Sequence, residues 1–155
     1  EPNFGKTVAE VMPQAQQISA QKSDQVIINL GTNDVLQELT VDTSMASLQQ
    51  MVDLFKGSKC IHLVNINEHM LSFTTGKSVA DGAERFNAGL QDLAKADGRI
   101  SIVDWAGASG DSLDTKNPPT SSLTFDSVHP TTQGDIELNK LYANALDGCG
   151  GPIRL

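Results

Sequence analysis

Apolar positions recur along this chain at two spacings, one helical and one extended, that alternate from end to end. Val8, Val11, Met12 and Ala15 follow helical spacing behind Thr7-Val8-Ala9-Glu10, whose Thr-x-x-Glu form is a capping box, so a helix is predicted over about 8 to 21. Val26 to Leu30 is a mostly apolar run, broken only by Asn29, and too apolar to face water on either side, as expected of a strand inside a parallel sheet. Leu48, Met51, Val52 and Phe55 form the stripe of a second helix closed by Gly57, and "CIHLVNI", 60 to 66, reads as a second strand. Ser78-Val79-Ala80-Asp81 opens a third helix with core face Val79, Ala83, Phe86, Leu90 and Leu93. Gly98 stops it, and "ISIVDW" makes a third strand. Leu138, Leu141, Tyr142 and Ala145 mark a last helix ending near Gly148.

Strands alternating with helices of this length require crossover connections, which predicts an α/β fold with a parallel sheet between two helical layers. At 155 residues the chain suits a single domain, 1–155, without internal repeats. Two irregular stretches, 67 to 77 and 106 to 128, follow strand ends, where open α/β sheets place their sites.

Composition narrows the partners. A hydrophobic fraction of 39% with 19% charged residues is ordinary for a globular domain, and no apolar run approaches the roughly 20 residues that span a bilayer. Direct membrane insertion of this chain is therefore not expected. Nineteen acidic against eleven basic residues, net −8, repel phosphate backbones, so nucleic acid is not an expected partner. The chain opens with Glu1 rather than Met, which suggests a processed or excised product.

Its two cysteines, Cys60 and Cys149, lack C-x-x-C spacing and a neighbouring ligand pair, which argues against a zinc or redox motif. In a parallel sheet the last helix runs antiparallel to the strands, so Cys149 beyond its end falls at the same edge as Cys60. A disulfide there would stabilise the fold by roughly 4 to 5 kcal/mol in the chain-entropy model and would suit an extracytoplasmic setting; two unpaired core thiols are the alternative.

Two short motifs carry candidate chemistry. Gly31-Thr32-Asn33-Asp34 ends the first strand, and Asp126-Ser127-Val128-His129-Pro130 precedes the last helix. Either alone reads as a turn or a capping Asp beside a surface His. Together, in this architecture, they make the chain resemble the SGNH, or GDSL, hydrolase family of esterases and acyl-transferring enzymes. That resemblance implies a three-layer flavodoxin-like sandwich and a Ser-His-Asp triad. It implies that His129 is the general base, Asp126 its orienting carboxylate, Asn33 an oxyanion donor, and Gly5 the backbone donor of a second block. Thr32 and Asp34 would then lie at the substrate. It implies no metal and no organic cofactor, and no Gly-rich phosphate loop or haem motif competes. "CIHLVNINE", Asn87, "ISIVDWA" and "FDSVHPTTQG" further resemble the SGNH domain of bacterial membrane O-acyltransferases that decorate cell-surface glycans.

The family's nucleophile lies in a Gly-Asp-Ser motif after its first strand, ahead of the G-x-N-D block, and nothing before Asn33 supplies it. The expectation is that the first strand and nucleophile turn are absent from this chain and that the edge of strand 26 to 30 is left unpaired. The serine would then come from a companion N-terminal fragment or from the upstream part of a longer chain, both placed ahead of a remodelled, inert relative because His129, Asp126 and Asn33 are all in place. A Gly-Asp-Ser does occur at Gly110-Asp111-Ser112, but in a segment rich in turn formers where a chance match is the better reading. His62 is expected as a packed strand histidine, His69 with Glu68 as part of a solvated loop, and Trp105 as core or cleft wall. The expected function is cleavage or transfer of an ester-linked acyl group, a short one such as acetyl given the sparse aromatic content. The rival is an inert module binding a glycan or partner protein in the same cleft.

Overall fold

A computed structural model of the chain describes residues 5–72, 74–110 and 122–149, together with the backbone of 113–114 and 120–121. The first helix, α1 (Val8–Ser19), starts at the predicted capping box: the Thr7 hydroxyl accepts from the Glu10 N–H while a Glu10 carboxylate oxygen accepts from the Thr7 N–H at 2.9 Å. Strand β1 (Gln25–Ile28) follows, then a short helix α2 (Thr32–Leu36), helix α3 (Val41–Leu54) and strand β2 (Cys60–Val64). Helix α4 (Ala80–Ala96), strand β3 (Ile100–Val103) and the short helix α5 (Trp105–Gly110) lead to two-residue strands β4 (Leu113–Asp114) and β5 (Thr120–Ser121), and helix α6 (Thr132–Asp147) completes the described elements.

Among the described residues β1, β2 and β3 form one parallel sheet in that order, with Val26 opposite Ile61 and Ile61 opposite Ile100. Alternation along the strands sends side chains to two cores. Ile28, Ile61, Leu63 and Ile100 pack with Val8, Leu48, Met51, Phe86 and Leu90 of α1, α3 and α4 on one face. On the other, Ile27, Val64 and Val103 pack with Leu138, Leu141 and Tyr142 of α6 and with Trp105, so the expected helix/sheet/helix layering is present.

Cys60 and Cys149 are joined in a disulfide, Cα–Cα 6.0 Å, at the amino edge of the sheet. Arg99, at the same edge, donates to the carbonyls of Phe55 and Lys56 just beyond α3, and its ion pair with Asp97 fixes the guanidinium. His62 is buried as expected, between Ser101 and Gln25, and burial lowers its pKa below the ordinary imidazole value.

The differences from the sequence reading are local. Each strand is shorter than its apolar run, because the ladder stops where the neighbouring strand stops. Trp105 opens a helix instead of ending a strand, and Gly31-Thr32-Asn33-Asp34 is the start of α2 instead of a simple turn. Gly31 has φ +113°, and a Cβ there would lie 2.3 Å from the Phe86 ring, so strand β1 turns into α2 against a fully buried aromatic that leaves room only for glycine.

Candidate active site

Chemistry-bearing residues collect at the carboxyl end of the sheet. The loop carrying the D-x-x-H motif is shaped by the start of α6. Thr131 caps that helix, and it donates from its N–H to the Leu123 carbonyl and from its hydroxyl to the Ser122 carbonyl. Gly134, in the first turn, sits where a Cβ would meet the Leu123 oxygen at 2.0 Å, which lets the helix lie directly on the incoming chain. Residues 124 and 130 are thereby brought together as an isolated bridge, and the Phe125 N–H donates to the His129 carbonyl, closing a tight loop.

Inside it, one Asp126 oxygen accepts from the backbone N–H groups of His129 (2.7 Å) and Val128 (3.1 Å), and the other lies 2.6 Å from His129 Nδ1. Burial alone would raise the Asp126 carboxyl; the hydrogen bonds from the His129 backbone and imidazole and the Val128 N–H outweigh it and hold the group below the ordinary carboxylate value. A carboxylate fixed by backbone donors at one oxygen can orient an imidazole with the other, which sets which ring nitrogen carries the proton. The His129 side chain is 54% exposed and Phe125, 61% exposed, stacks on its ring at 5.8 Å between centroids.

Ser127, between the pair, has φ +65° and is 1% exposed, an uncommon backbone state for a residue with a side chain. The loop after β2 holds it there. Asn67 Nδ2 donates to the Ser127 carbonyl at 2.8 Å, Asn67 Oδ1 accepts from the His69 N–H, and the Leu71 N–H donates to the Ser127 hydroxyl at 3.4 Å. The loop after β2 is itself fastened to α4: Asn87 accepts from the Ile66 N–H and donates to the Ile66 carbonyl and to Glu68.

The second group of residues follows β1, the strand beside β2. Asn33 is half-buried in the first turn of α2, and its Nδ2 donates to the Lys6 carbonyl at 3.1 Å. Gln37 donates to the Gly5 carbonyl, and Gly5, exposed with φ +67°, turns the chain into α1. The segment of Gly5 and Lys6 is thus laced to α2, which brings two of the expected oxyanion donors into one neighbourhood. Thr32 and Asn33 line a cavity of about 550 Å³ that runs along β1 between α1 and Tyr142.

Asp34, expected at the substrate, has another role. It is 1% exposed and accepts from the Val8 N–H at 2.9 Å, satisfying a free donor of the first turn of α1. Burial raises its pKa against that hydrogen bond. A carboxylate sealed beneath a helix end has no surface left for substrate. Ser112 lies outside the described residues. His69 is exposed as expected, Trp105 is core, and Asn67 and Ser127 are positioning residues that the sequence did not point to.

An α/β sheet whose carboxyl end gathers an Asp-His pair and an asparagine amide has the layout of a serine-type ester hydrolase. The sequence profile of the GDSL-like lipase/acylhydrolase family matches residues 4–135, and the chain belongs to that family. Solved structures of the same fold include a GDSL-like lipase from Bacteroides thetaiotaomicron VPI-5482 (22% identity, TM-score 0.78, covering 92% of this chain and 72% of that one). An acetylxylan esterase from Geobacillus stearothermophilus is similar at 22% identity and TM-score 0.74, covering 96% of this chain and 69% of the esterase. A member of the lipolytic protein G-D-S-L family from Veillonella parvula DSM 2008 is similar at 15% identity and TM-score 0.67, covering 93% and 76%. No curated protein sequence matches the chain.

Proposed function

We propose that this domain cleaves, or transfers to an acceptor alcohol, a short acyl group such as acetyl from a glycan or small-molecule ester, using a serine delivered by a segment outside this chain. The reading rests above all on the Asp126–His129 pair, in which a backbone-anchored carboxylate 2.6 Å from Nδ1 leaves Nε2 as the proton-accepting nitrogen. The serine hydroxyl loses its proton to Nε2 as its oxygen attacks the ester carbonyl. The negative charge that develops on the carbonyl oxygen is met by Asn33, whose amide has a second hydrogen beyond the one bound to Lys6, and by the Gly5 N–H. Collapse returns the proton to the leaving alcohol and leaves an acyl-serine. Water or an acceptor hydroxyl, deprotonated by His129 in turn, then releases the acyl group.

Support for an external serine comes from the edge of β1. Among the described residues β1 pairs only with β2, and the cavity along it is lined by Ile18, Val26, Ile28 and Phe55, an apolar trough that ends at Thr32 and Asn33. A strand paired there would carry a residue at its carboxyl end to the amide of Asn33. The name of the Geobacillus neighbour favours an acetylated glycan as substrate, and the Cys60–Cys149 disulfide favours an oxidising, extracytoplasmic setting.

The test is hydrolysis of a small aryl acetate by a preparation that retains every associated segment. His129→Ala is expected to reduce kcat by about 10³-fold or more with KM little changed. A complete preparation that is inert and takes no label from a serine-directed phosphonate would instead favour a glycan- or protein-binding module.

A further inference from the structure

At the opposite end of the sheet from His129 lies a cluster that the proposed reaction does not use. Cys60 opens β2 and His62 follows two residues later, so both project from the same face of the strand. Cys149 reaches that face from the turn after α6, and the two sulfurs and an imidazole nitrogen all lie within 4.8 Å of one another. We propose that reduction of the Cys60–Cys149 bond turns this corner into a binding site for a thiophilic divalent cation of the zinc class, held by the two thiolates and the His62 imidazole.

The donor set is the one such ions take. Tetrahedral zinc has bonds of about 2.3 Å to sulfur and about 2.0 Å to imidazole nitrogen, which separates its ligand atoms by roughly 3.5 to 4 Å. Once the bond is reduced the two sulfurs, held at about 2 Å in a disulfide, turn apart to that spacing, and the imidazole nitrogen closes on them from within 4.8 Å. The histidine is also set up correctly. Gln25 Oε1, 3.2 Å from Nε2, can only accept, which places the ring proton on Nε2 and the lone pair on Nδ1. We take Nδ1 as the ligating nitrogen; it is 2.7 Å from the Ser101 hydroxyl, a rotor that can turn aside for an ion. The Nε2–H to Gln25 contact would remain as the outer hydrogen bond that orients a ligating histidine. A cavity of about 580 Å³, lined by Cys60, His62, Cys149, Asn144 and Gly148, gives a reductant and an ion access and leaves room for water as a fourth ligand.

The chemistry balances with a dithiol as reductant. Two electrons pass to the protein disulfide, the dithiol becomes a cyclic disulfide, and its two protons appear on Cys60 and Cys149. The divalent cation then displaces both protons, so that two thiolates and a neutral imidazole surround a 2+ charge. Exchange with a small-molecule disulfide, which takes up the two electrons and leaves as two thiols with protons from solvent, would re-form the protein disulfide and release the ion, which makes occupancy conditional on the redox state of the surroundings.

The full chain is titrated with Co²⁺ as an optical probe, oxidised and after reduction by a phosphine, with Zn²⁺ in competition. The expected result is one Co²⁺ per reduced chain with thiolate-to-cobalt charge-transfer absorption, displaced by Zn²⁺, and no such band in the oxidised form. His62→Ala should weaken Co²⁺ binding at least about tenfold, the range seen even for loss of an outer partner, and alter the band. Ser101→Ala, which removes only the competing hydroxyl, should bind as well as wild type or better. A reduced chain that loses its circular dichroism but regains it with Zn²⁺ supports the site equally. Absence of the band in the reduced chain, no recovery with Zn²⁺, or equal affinity in His62→Ala would overturn it, the last because two thiols alone would then account for binding.

Discussion

Asn87→Ala tests how the loop after β2 is held in place. Asn87 is 7% exposed, and its amide makes three contacts: Oδ1 accepts from the Ile66 N–H at 2.9 Å, while Nδ2 donates to the Ile66 carbonyl at 2.8 Å and to Glu68 at 2.9 Å. Ile66 is 1% exposed, so truncation strands a backbone donor and a backbone acceptor away from solvent. Each unmet group costs about 1 to 3 kcal/mol, and partial entry of water into the vacated space offsets some of that, giving an expected loss of about 2 to 5 kcal/mol. Asn87→Asp keeps the acceptor for the Ile66 N–H but sets a carboxylate oxygen against the Ile66 and Glu68 oxygens. It should therefore be no milder at neutral pH and should recover in part when acid protonates it. The assay is urea unfolding of the oxidised protein, read as a change in midpoint at constant m, with hydrogen exchange at 66–71 reporting the local loosening. An Asn87→Ala variant within about 0.5 kcal/mol of wild type, the usual range for an inconsequential surface change, would refute the argument that this side chain fastens the loop.

Four further outcomes follow from the same contacts. Reducing the Cys60–Cys149 bond, which spans 89 residues, should lower stability by up to roughly 4 to 5 kcal/mol in metal-free buffer, measured by the same unfolding assay. Gly31→Ala, which drives a Cβ into the buried Phe86 ring at φ +113°, should cost about 2 to 4 kcal/mol in thermal or urea unfolding. Ser127→Gly relieves a left-handed residue at the loss of one long hydrogen bond and should change stability by no more than about 1 kcal/mol, whereas Ser127→Val at the same φ should be clearly destabilising. Because the folded Asp126 carboxyl is depressed, it contributes stability above the ordinary carboxylate value of about 4, and that contribution disappears as pH falls through its lower folded value. The stability gap between wild type and Asp126→Asn should therefore close as the pH is taken into acid.

Much of this architecture is legible in the sequence because its signals are chemical and local. The capping box at Thr7 and Glu10 and the helical spacing of Val79, Ala83, Phe86 and Leu90 need no tertiary information. That Cys60 and Cys149 share an edge follows once strands and helices are known to run antiparallel, whereas their bonding is seen only in the structure. Strand ends are less legible, since the apolar run of Val26 to Leu30 continues past the last ladder bond, and "ISIVDWA" does not reveal that Trp105 has passed into a helix. Asn87 could have been singled out as a polar residue on the apolar face of α4. Asn67 and Ser127 could not, because a left-handed serine carries no glycine to announce it and its partners are far off in sequence. Asp34 is a related case: the family resemblance implies a place at the substrate, but the packing of α1 on α2 gives its carboxylate to Val8. The closeness of His62 to the cysteines is likewise a property of the sheet face and of no sequence spacing.

The central claim is that Asn33 and His129 act on one serine brought to the open edge of β1, and it is tested most directly by solving the structure of the complete protein after reaction with a serine-directed phosphonate. The predicted result is a phosphonylated serine on a strand paired with β1, its phosphonyl oxygen within hydrogen-bonding distance of Asn33 Nδ2 and the Gly5 N–H, and its Oγ beside His129 Nε2. An adduct on Ser112, or on any serine remote from Asn33, would contradict it.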